Sequence, residues 1–383
     1  MTIGVDIRIL GGKTKSGIEE YTEKLLAHLI PLDSTIKYKL FHSSLNKNLP
    51  KYDWFNHDNV EIKSFNIPNK FLFASSRFLG RPYTDKIVGG ADVFFSPHLL
   101  NISLSPNCKR VTTIHDLSFI HFQDFFSWRK LLWHKFEMNP LKQTLFSDAI
   151  ITVSESTKKD LEKLFDIDPP KISVIYSGID SDISRPSEKD LADFKIQKKL
   201  PKNFILFLGK IEPRKNIVGL IRAFNKLKGA SKFSDLHLVL VGAMGWLVKD
   251  IVKEVKVSPY SKNIIFTDYI KNEEKAYYYS LAKCFVYPSF FEGFGFPNIE
   301  AMRCGVPVVT SSNSSIPEVV KDSAILINPH SVDEITMAVS NVLTDTKLLK
   351  SYINKGIKTS ENYKWRVSAS KTLDLLCRTI NVY

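Results

Sequence analysis

The 383-residue sequence predicts two α/β domains, each built on a parallel sheet with helices on both faces. Two observations lead to this prediction. Short apolar runs of strand length alternate with amphipathic helical runs along the chain. A polar segment with two prolines, residues 181–201, divides this alternation into two sets and has the composition of a linker. A chain of this length also suits two domains better than one core.

The first set begins with a strand at residues 3–9 and a helix at 17–29. The further strands predicted in this set are 93–96, 110–114, 149–153 and 172–176. A helix is predicted at 158–164, where Ser154 and Ser156 are cap candidates because serine side chains accept hydrogen bonds from first-turn amides. We assign residues 1–182 to this domain.

The second set occupies residues 183–363. Its predicted strands are 204–208, 237–241, 264–266, 284–287 and 307–310, and its predicted helices are 217–227, 273–282 and 298–303. A last helix, within residues 364–383, is expected to cross back onto the first domain. Two Rossmann-like, doubly wound domains of this kind are expected to face a central cleft, with ligands at the carboxyl ends of the strands.

Composition and charge indicate the cellular compartment and limit the classes of ligand to be expected. The apolar runs fall far short of the roughly 20 residues of a membrane span, and Asp6 and Arg8 stand where a signal peptide would be apolar. We therefore expect a cytoplasmic protein, whose four scattered cysteines are free thiols. Residues 1–180 carry 23 basic and 20 acidic residues, whereas the remainder carries 30 and 20. The basic second half suits nucleic acid, anionic lipid or a phosphorylated small molecule, and charge alone does not choose among them.

One glycine-containing loop lies between the strand at 284–287 and a helix that begins near Pro297. Proline is favoured in a first helical turn, and the amides and positive dipole of a helix N-terminus suit a diphosphate. Gly293 and Gly295 let the backbone approach a ligand closely. Glu292 in the loop and Glu300 in the helix supply carboxylates that can accept hydrogen bonds from paired hydroxyls, such as those of a sugar or a ribose. Taken alone, the two glutamates are equally explained as a solvent-exposed loop residue and a helix-face residue.

A second loop, after the strand at 204–208, contains Gly209 and the adjacent cations Arg214 and Lys215. Two cations between a strand and a helix suit a pyrophosphate. The two loops together favour a ligand that carries both a diphosphate and hydroxyl groups.

Residues 287–319, from Tyr-Pro-Ser-Phe-Phe-Glu-Gly-Phe-Gly-Phe-Pro-Asn-Ile-Glu to Ser-Ile-Pro-Glu-Val, resemble the signature of the retaining GT-B glycosyltransferases of family 4. The resemblance implies a donor-sugar contact for Glu292 and a ribose contact for Glu300. It also implies that Lys215 and Arg214 neutralise the leaving diphosphate. The other donor-binding residues implied are Gly209, Phe294, Gly295 and Phe296. Relatives often carry arginine directly after the glycine of the second loop, where this chain has Lys210.

The resemblance extends to further loops. Gly12 and Gly17 lie in the loop that the family places over the donor phosphates, and His115 resembles a histidine close to the transferred sugar. Tyr269 and Ile270 resemble the loop whose backbone contacts the nucleotide base. The side chains of this pair do not identify the base.

No metal or other cofactor is expected. Asp180 and Asp182 have the spacing of a metal pair, but their surroundings resemble the family's turn into the interdomain linker. Cationic side chains and a helix N-terminus supply the stabilisation that Mg²⁺ would supply elsewhere.

The resemblance therefore implies an enzyme that moves a hexose, of mannose or rhamnose type, from a nucleotide-diphosphate sugar to a glycan or lipid-linked acceptor, in surface polysaccharide synthesis. A nucleotide-sugar epimerase or phosphorylase on the same fold is the alternative. Nucleic-acid binding has only the net charge of +13 in its favour. A peripheral membrane contact, at the inner face of the membrane, is a further expectation. The candidate surfaces are residues 63–81 and 119–135, and a buried aromatic helix with basic edges explains them equally well.

Overall fold

The structure is a computed structural model, and it describes residues 1–11, 16–44, 49–180 and 182–381. It divides into two compact units. The first comprises Met1–His121, Trp128–Gly178 and Lys364–Tyr383, and the second comprises Phe122–Ser127 and Ile179–Tyr363.

Within the described residues, the first unit contains a seven-stranded parallel sheet. Its strands are β1 Thr2–Asp6, β2 Lys37–Ser43, β3 Val60–Phe65, β4 Val93–Ser96, β5 Lys109–Ile114, β6 Ala149–Thr152 and β7 Ile172–Val174, in the order β3-β2-β1-β4-β5-β6-β7. Its helices are α1 Gly17–Leu29, α2 Asn69–Phe78, α3 Thr84–Ile87, α4 Ser118–His121, α5 Trp128–Trp133, α6 Pro140–Phe146 and α7 Glu155–Phe165. A π-helical turn, His134–Met138, follows α5.

The second unit contains, in the part that the structure describes, a six-stranded parallel sheet. Its strands are β8 Asn203–Leu208, β9 Leu236–Val241, β10 Ile264–Thr267, β11 Cys284–Tyr287, β12 Val308–Ser311 and β13 Ile325–Ile327, in the order β10-β9-β8-β11-β12-β13. Its helices are α8 Glu188–Gln197, α9 Ile217–Lys228, α10 Lys249–Val257, α11 Asn272–Leu281, α12 Phe296–Arg303, α13 Ile316–Val320, α14 Val332–Thr344 and α15 Thr346–Ser360.

Helix α16, Trp365–Asn381, belongs to the first unit. It packs against α1, β4 and β5. The edge-on contact between the rings of Tyr21 and Trp365, whose centroids lie 5.7 Å apart, is part of this packing. The predicted pair of α/β domains, with a C-terminal helix that returns to the first, is confirmed.

The central strands of both sheets are buried on both faces, as parallel strands covered by helices on either side are. In β8, Phe204, Ile205, Leu206 and Phe207 are all fully buried. Such strands are rigid supports for the loops that leave their carboxyl ends.

The prediction that residues 181–201 form only a linker is wrong. Helix α8 lies within this stretch, and the Ser187 side chain caps it by accepting a hydrogen bond from the amide of Asp190. Leu191 and Phe194 are buried, and the Phe194 ring stacks on Tyr277 at 4.6 Å. The first strand is also shorter than predicted, because the chain leaves the sheet after Asp6.

Candidate active site

Strands β8 and β11 are parallel neighbours, so the loops that follow them emerge at the same edge of the second sheet. After β8, the chain turns through a short 3₁₀ helix, Pro213–Lys215, and then through Asn216, which has a φ of 54°. Asn216 tolerates this left-handed conformation and caps α9, because its Oδ1 accepts a hydrogen bond from the Gly219 amide at 3.2 Å. The turn fixes where Arg214 and Lys215 lie.

The loop after β11 is joined to that turn through its backbone. The Phe290 amide donates to the Arg214 carbonyl oxygen at 2.8 Å, and the Ser289 hydroxyl oxygen lies 3.1 Å from the same oxygen. The Arg214 guanidinium in turn donates to the Phe291 carbonyl oxygen. The two loops that the sequence singled out therefore form one hydrogen-bonded unit.

Lys215, Arg214 and Glu292 meet in this unit as a buried charged cluster. The Lys215 ammonium lies 2.5 Å from Glu292 Oε1 and donates to the Tyr287 hydroxyl at 2.7 Å. The Arg214 guanidinium lies 3.2 Å from Glu292 Oε2. Each oxygen of Glu292 therefore faces a different cation.

Glu212 and Ser289 complete this charged cluster. Arg214 donates to Glu212 Oε1 through Nη2 at 3.0 Å and through Nε at 3.2 Å. The Ser289 hydroxyl donates to Glu292 Oε1 at 2.6 Å. With two carboxylates and two cations, the cluster has no net charge as it stands.

Electrostatics in this cluster favour the ionised form of Glu292. Burial raises the pKa of its carboxyl group, but Arg214 and Lys215 outweigh that effect and hold the pKa at about 2. Burial, together with the positive charge of Arg214, lowers the pKa of Lys215 against the opposing effect of Glu292. The carboxylate is thus a fixed anion at neutral pH.

Beyond Glu292, the loop leads into the N-terminus of α12. The Glu292 amide donates to the Ser314 hydroxyl at 3.0 Å, and the Ser315 hydroxyl donates to the Glu292 carbonyl oxygen at 2.8 Å. Gly295 has a φ of 86°, which strains any residue with a side chain, and it stands directly before Phe296, the first residue of α12. The Phe294 ring is buried against Phe296 and Tyr363, so only the backbone of Phe294 is left to serve a ligand.

Glu300 lies on α12 and is held by α11. Lys275 donates to its Oε1 at 3.0 Å, and the Tyr279 hydroxyl donates to its Oε2 at 2.8 Å. Each carboxylate oxygen can accept a further hydrogen bond. The two donors fix the carboxylate's orientation and leave lone pairs for further donors.

Two other predicted donor-binding regions follow different strands of the second sheet. Gly209 directly follows β8 and has a φ of 155°. Tyr269 and Ile270 follow β10, which β9 separates from β8. Tyr269 is 52% exposed.

His115 follows β5 in the first unit. Its Nε2 lies 2.9 Å from the carbonyl oxygen of Pro97, and its ring meets the Tyr21 ring edge-on at 4.6 Å. A carbonyl oxygen only accepts hydrogen bonds, so Nε2 carries the proton and Nδ1 of the neutral ring is an acceptor. Burial lowers the pKa of His115, which keeps the ring neutral at pH 7.

The glycine loop of the first unit is described in part. Gly12 lies outside the described residues. Gly17 begins α1 behind a capping box, in which the Glu19 amide donates to the Ser16 hydroxyl at 3.3 Å and the Ser16 amide donates to Glu19 Oε2 at 2.7 Å. A Cβ atom at Gly17 would meet nothing within 4 Å, so packing does not require glycine there.

Two residues next to the predicted sites have structural roles. The Ser154 hydroxyl caps α7 by accepting from the Thr157 amide at 3.1 Å. Asp116 accepts from the amide and the hydroxyl of Ser118 at 2.9 and 2.6 Å, which fixes the turn that leads into α4.

Within the described ranges, no group of three or more His, Cys, Asp or Glu side chains is arranged to hold a metal ion. In those same ranges, no helix has the length and apolar character needed to cross a bilayer.

Comparisons with known proteins agree with this architecture. The model of the family "Glycosyltransferase Family 4" matches residues 16–183, and that of "Glycosyl transferases group 1" matches residues 188–359. The chain belongs to the family 4 glycosyltransferases. The O-antigen chain mannosyltransferase B of Escherichia coli is 29% identical over 374 residues, which cover 94% of this chain and 95% of that protein.

Solved structures identify the fold of this glycosyltransferase as GT-B. Sucrose-phosphate synthase from Thermosynechococcus elongatus superposes with a TM-score of 0.76 at 19% identity, covering 98% of each chain. The Anabaena protein HepE, solved with UDP and glucose, superposes with a TM-score of 0.73 at 16% identity, covering 99% of this chain and all of that one. The predicted fold class and enzyme class are confirmed.

Sequence reasoning about the glycosyltransferase missed the residues that hold the predicted ones in place. Glu212 stands inside the second motif, and its spacing of two from Arg214 was a usable signal. Tyr287 and Ser289 lie within the signature, but the resemblance implied no role for them. Lys275 and Tyr279 approach Glu300 from another helix, and no sequence spacing connects them to it.

Proposed function

We propose that the chain transfers a hexose, of mannose or rhamnose type, from a nucleotide-diphosphate sugar to a hydroxyl group of a glycan or lipid-linked acceptor, with retention of configuration. The buried cluster of Arg214, Lys215 and Glu292 beside the N-terminus of α12 carries this proposal. The printed name of the E. coli relative supports mannose as the sugar and surface polysaccharide synthesis as the process.

In this proposal, the diphosphate exchanges places with Glu292 as the partner of the cations. Glu292 holds Arg214 and Lys215 in position in the free enzyme, since it lies 3.2 and 2.5 Å from them. When the donor binds, its phosphate oxygens take over part of that pairing, and the amides that open α12 bind the remainder. Glu292 then accepts hydrogen bonds from the donor sugar.

The cations accelerate transfer because negative charge on the leaving phosphate grows in the transition state. Lys215 and Arg214 stabilise that charge more strongly than they stabilise the bound donor, which is the condition for raising the rate. Their fixed positions in a buried site mean that little reorganisation accompanies the reaction.

Retention is proposed to occur through a front-face route. A double displacement needs a carboxylate nucleophile, but Glu292 is paired with two cations and Ser289, and Glu212 is paired with Arg214. In the front-face route, the departing phosphate oxygen accepts the proton of the acceptor hydroxyl. The Nδ1 atom of His115 accepts a hydrogen bond from the donor sugar.

The remaining assignments divide the donor and the acceptor between the domains. Residues 183–363 bind the donor: Glu300 accepts from the ribose, and the backbone at Tyr269 and Ile270 contacts the base. Residues 1–182, with the helix in 364–383, bind the acceptor, and the loop with Gly12 and Gly17 covers the donor phosphates. No metal ion is required.

The proposal is tested by screening UDP-, GDP-, dTDP- and ADP-sugars for thermal stabilisation, because a ligand that binds only the folded state stabilises it by mass action. The selected donor is then incubated with and without a glycan acceptor and followed by NMR. We expect a new glycosidic product only when the acceptor is present. Conversion of the donor without an acceptor would favour the epimerase, and conversion with phosphate alone would favour the phosphorylase.

A peripheral membrane contact is a further part of this proposal. Helix α2 packs beside the π-helical turn that follows α5, and the Arg77 guanidinium lies 4.9 Å from the Phe136 ring centroid. We call the exposed surface of these segments the basic–apolar face. Its exposed apolar residues are Phe71, Phe78, Leu79, Trp128, Leu132, Trp133 and Phe136. Its basic residues are Lys70, Arg77, Arg81, Arg129, Lys130 and Lys135, against one acidic residue, Glu137.

This face differs from the surfaces predicted from the sequence. Phe73 and Phe119 are buried, and Phe65 packs against the core, so these rings are not available to lipid. Phe78 is 77% exposed and Trp128 is 66% exposed. Exposed aromatic rings among cations fit the interface of an anionic bilayer.

Sedimentation with anionic phosphatidylglycerol vesicles and with neutral phosphatidylcholine vesicles tests the contact. We expect binding to the anionic vesicles, weakened about fivefold or more by Arg129→Glu, since each cation near such a surface contributes about 1 kcal/mol. Phe78→Ser with Trp128→Ser is expected to abolish it. Ile196→Ser, at a 76% exposed position of the second unit, is the control. Binding unaffected by Lys70→Glu and Arg129→Glu would remove the membrane contact from the proposal.

A further inference from the structure

A short aromatic segment, Phe122–Ser127, lies between α4 and α5 in the sequence but packs in the second unit. We call it the aromatic strap. Its rings at Phe122 and Phe125 stack on each other with centroids 5.4 Å apart. That unit otherwise consists of Ile179–Tyr363, which is the domain proposed to bind the donor. The strap is therefore a piece of the N-terminal half of the chain that packs in the donor-binding domain.

The strap packs on the two residues that precede Glu292. The Phe125 ring stacks on Phe290 at 5.4 Å, and the Phe122 ring contacts Phe291 at 5.9 Å. These are the residues whose backbone holds Arg214, because the Phe290 amide donates to the Arg214 carbonyl oxygen and the Phe291 carbonyl oxygen accepts from the Arg214 guanidinium.

A second anchor fixes the strap to the loop after β9. The indole Nε1 of Trp246 donates to the Phe125 carbonyl oxygen at 2.6 Å, and the Phe126 ring stacks on Trp246 at 5.9 Å. The Lys210 ammonium lies 5.0 Å from the centroid of the same indole, a cation–π contact. Lys210 is otherwise exposed to solvent.

We propose that the aromatic strap is a positioning element of the transferase, which holds the Phe290–Phe291 backbone and thereby fixes Arg214 and Glu292 for the leaving diphosphate. The inference rests on the proposed function of those two residues. Phe125 acts at the centre, since its ring contacts Phe290 and its carbonyl oxygen accepts from Trp246. The strap touches the loops after β9 and β11 and holds them in one arrangement.

Hydrogen exchange and steady-state kinetics on the full chain test the strap together. In Phe125→Ala, we expect peptides that cover residues 210–216 and 288–296 to exchange about three- to tenfold faster, in line with the loss of an aromatic pair. We expect kcat to fall at least about tenfold, as small misplacements of catalytic groups produce, while the donor KM changes much less. Phe125→Tyr keeps the ring and is expected to restore both values.

Two further variants control the experiment. Trp246→Phe keeps a ring at that position but removes the indole donor. It is expected to give the same changes in exchange and kcat, but smaller ones. It therefore tests the strap even where Phe125→Ala does not fold. Met337→Ala, at a 64% exposed position on α14, is expected to match the wild type.

The outcomes separate the strap from the proposed function. Unchanged exchange at residues 288–296 in both Phe125→Ala and Trp246→Phe would overturn the strap, as would an unchanged kcat with faster exchange. A wild-type enzyme that turns over no nucleotide-sugar would overturn the proposed function, and the exchange data would still report whether the strap holds the loop.

Discussion

Replacing Glu292 by glutamine tests the exchange of partners proposed for the charged cluster. The substitution keeps the size of the side chain and removes its negative charge. Arg214 and Lys215, which lie 3.2 and 2.5 Å from the carboxylate, then carry an excess of positive charge. A free nucleoside diphosphate should therefore bind more tightly to Glu292→Gln, whereas a nucleotide-sugar should gain less, because its sugar loses a carboxylate acceptor.

The pKa of Glu292 gives the expected size of this change in affinity. Its fall from 4.5 to about 2 corresponds to roughly 3 kcal/mol of net favourable interaction. A diphosphate is mobile and partly solvated, so it recovers only part of that interaction energy when it pairs with the cations. We therefore expect the Kd of the free nucleoside diphosphate to fall about 10- to 100-fold in Glu292→Gln. A lost hydrogen bond to a charged group costs about 1.5–3 kcal/mol, which should cancel most of that gain for the nucleotide-sugar.

Isothermal titration calorimetry at pH 7.5, with the nucleotide selected by the donor screen and its sugar conjugate, measures both constants. Glu188→Gln is the matched control, since Glu188 pairs with Arg185 at a position where its side chain is 81% exposed. Weaker binding of the free diphosphate to Glu292→Gln would refute the exchange, because Glu292 would then support the diphosphate and not compete with it.

Three further predictions concern the same site. Lys215→Met should lower kcat about 100-fold or more with the fold retained, as measured by initial rates, whereas Lys226→Met, whose partner is Asp333 on the surface, should not. The free energy of unfolding that Glu292 contributes is fully present above pH about 4.5 and lost as the pH falls toward about 2, because its folded pKa is lowered. Urea titrations at several pH values should therefore show the wild type losing about 3 kcal/mol relative to Glu292→Gln across that window, and parallel curves would contradict this. Dialysis against EDTA should leave kcat unchanged, and a loss that Mg²⁺ or Mn²⁺ restores would overturn metal independence.

Elements with strong patterns were predictable because local pattern and burial agree in them. Gly17–Leu29 was predicted at its observed bounds, since its apolar face repeats over three turns behind a capping serine. Helix α8 was missed because Leu191 and Phe194 are its only buried residues in a polar stretch that contains a proline boundary. Strand β3 was missed because it lies at the edge of the sheet and none of its residues is buried, so it lacks the apolar run of a central strand.

The site divides in a similar way. Lys215, Arg214 and Glu292 were predicted as site residues, because the signature that carries them is dense, and the structure brings them together. Their arrangement as a neutral cluster was not predictable, since partners 77 residues apart meet only after β8 and β11 pair. The aromatic strap lies within residues 119–135, which the sequence left open between a membrane surface and a buried aromatic helix, because sequence alone does not tell which neighbour covers an aromatic ring.

The anomeric configuration of the product tests the central claim most directly. The selected donor and a soluble glycan acceptor are incubated with the enzyme, and the anomeric proton of the new glycosidic bond is followed by NMR from the first turnovers. The charged cluster, with both carboxylates paired and the leaving phosphate as proton acceptor, predicts a product with the configuration of the donor. A product of inverted configuration would contradict it, since inversion needs a base on the opposite face of the sugar.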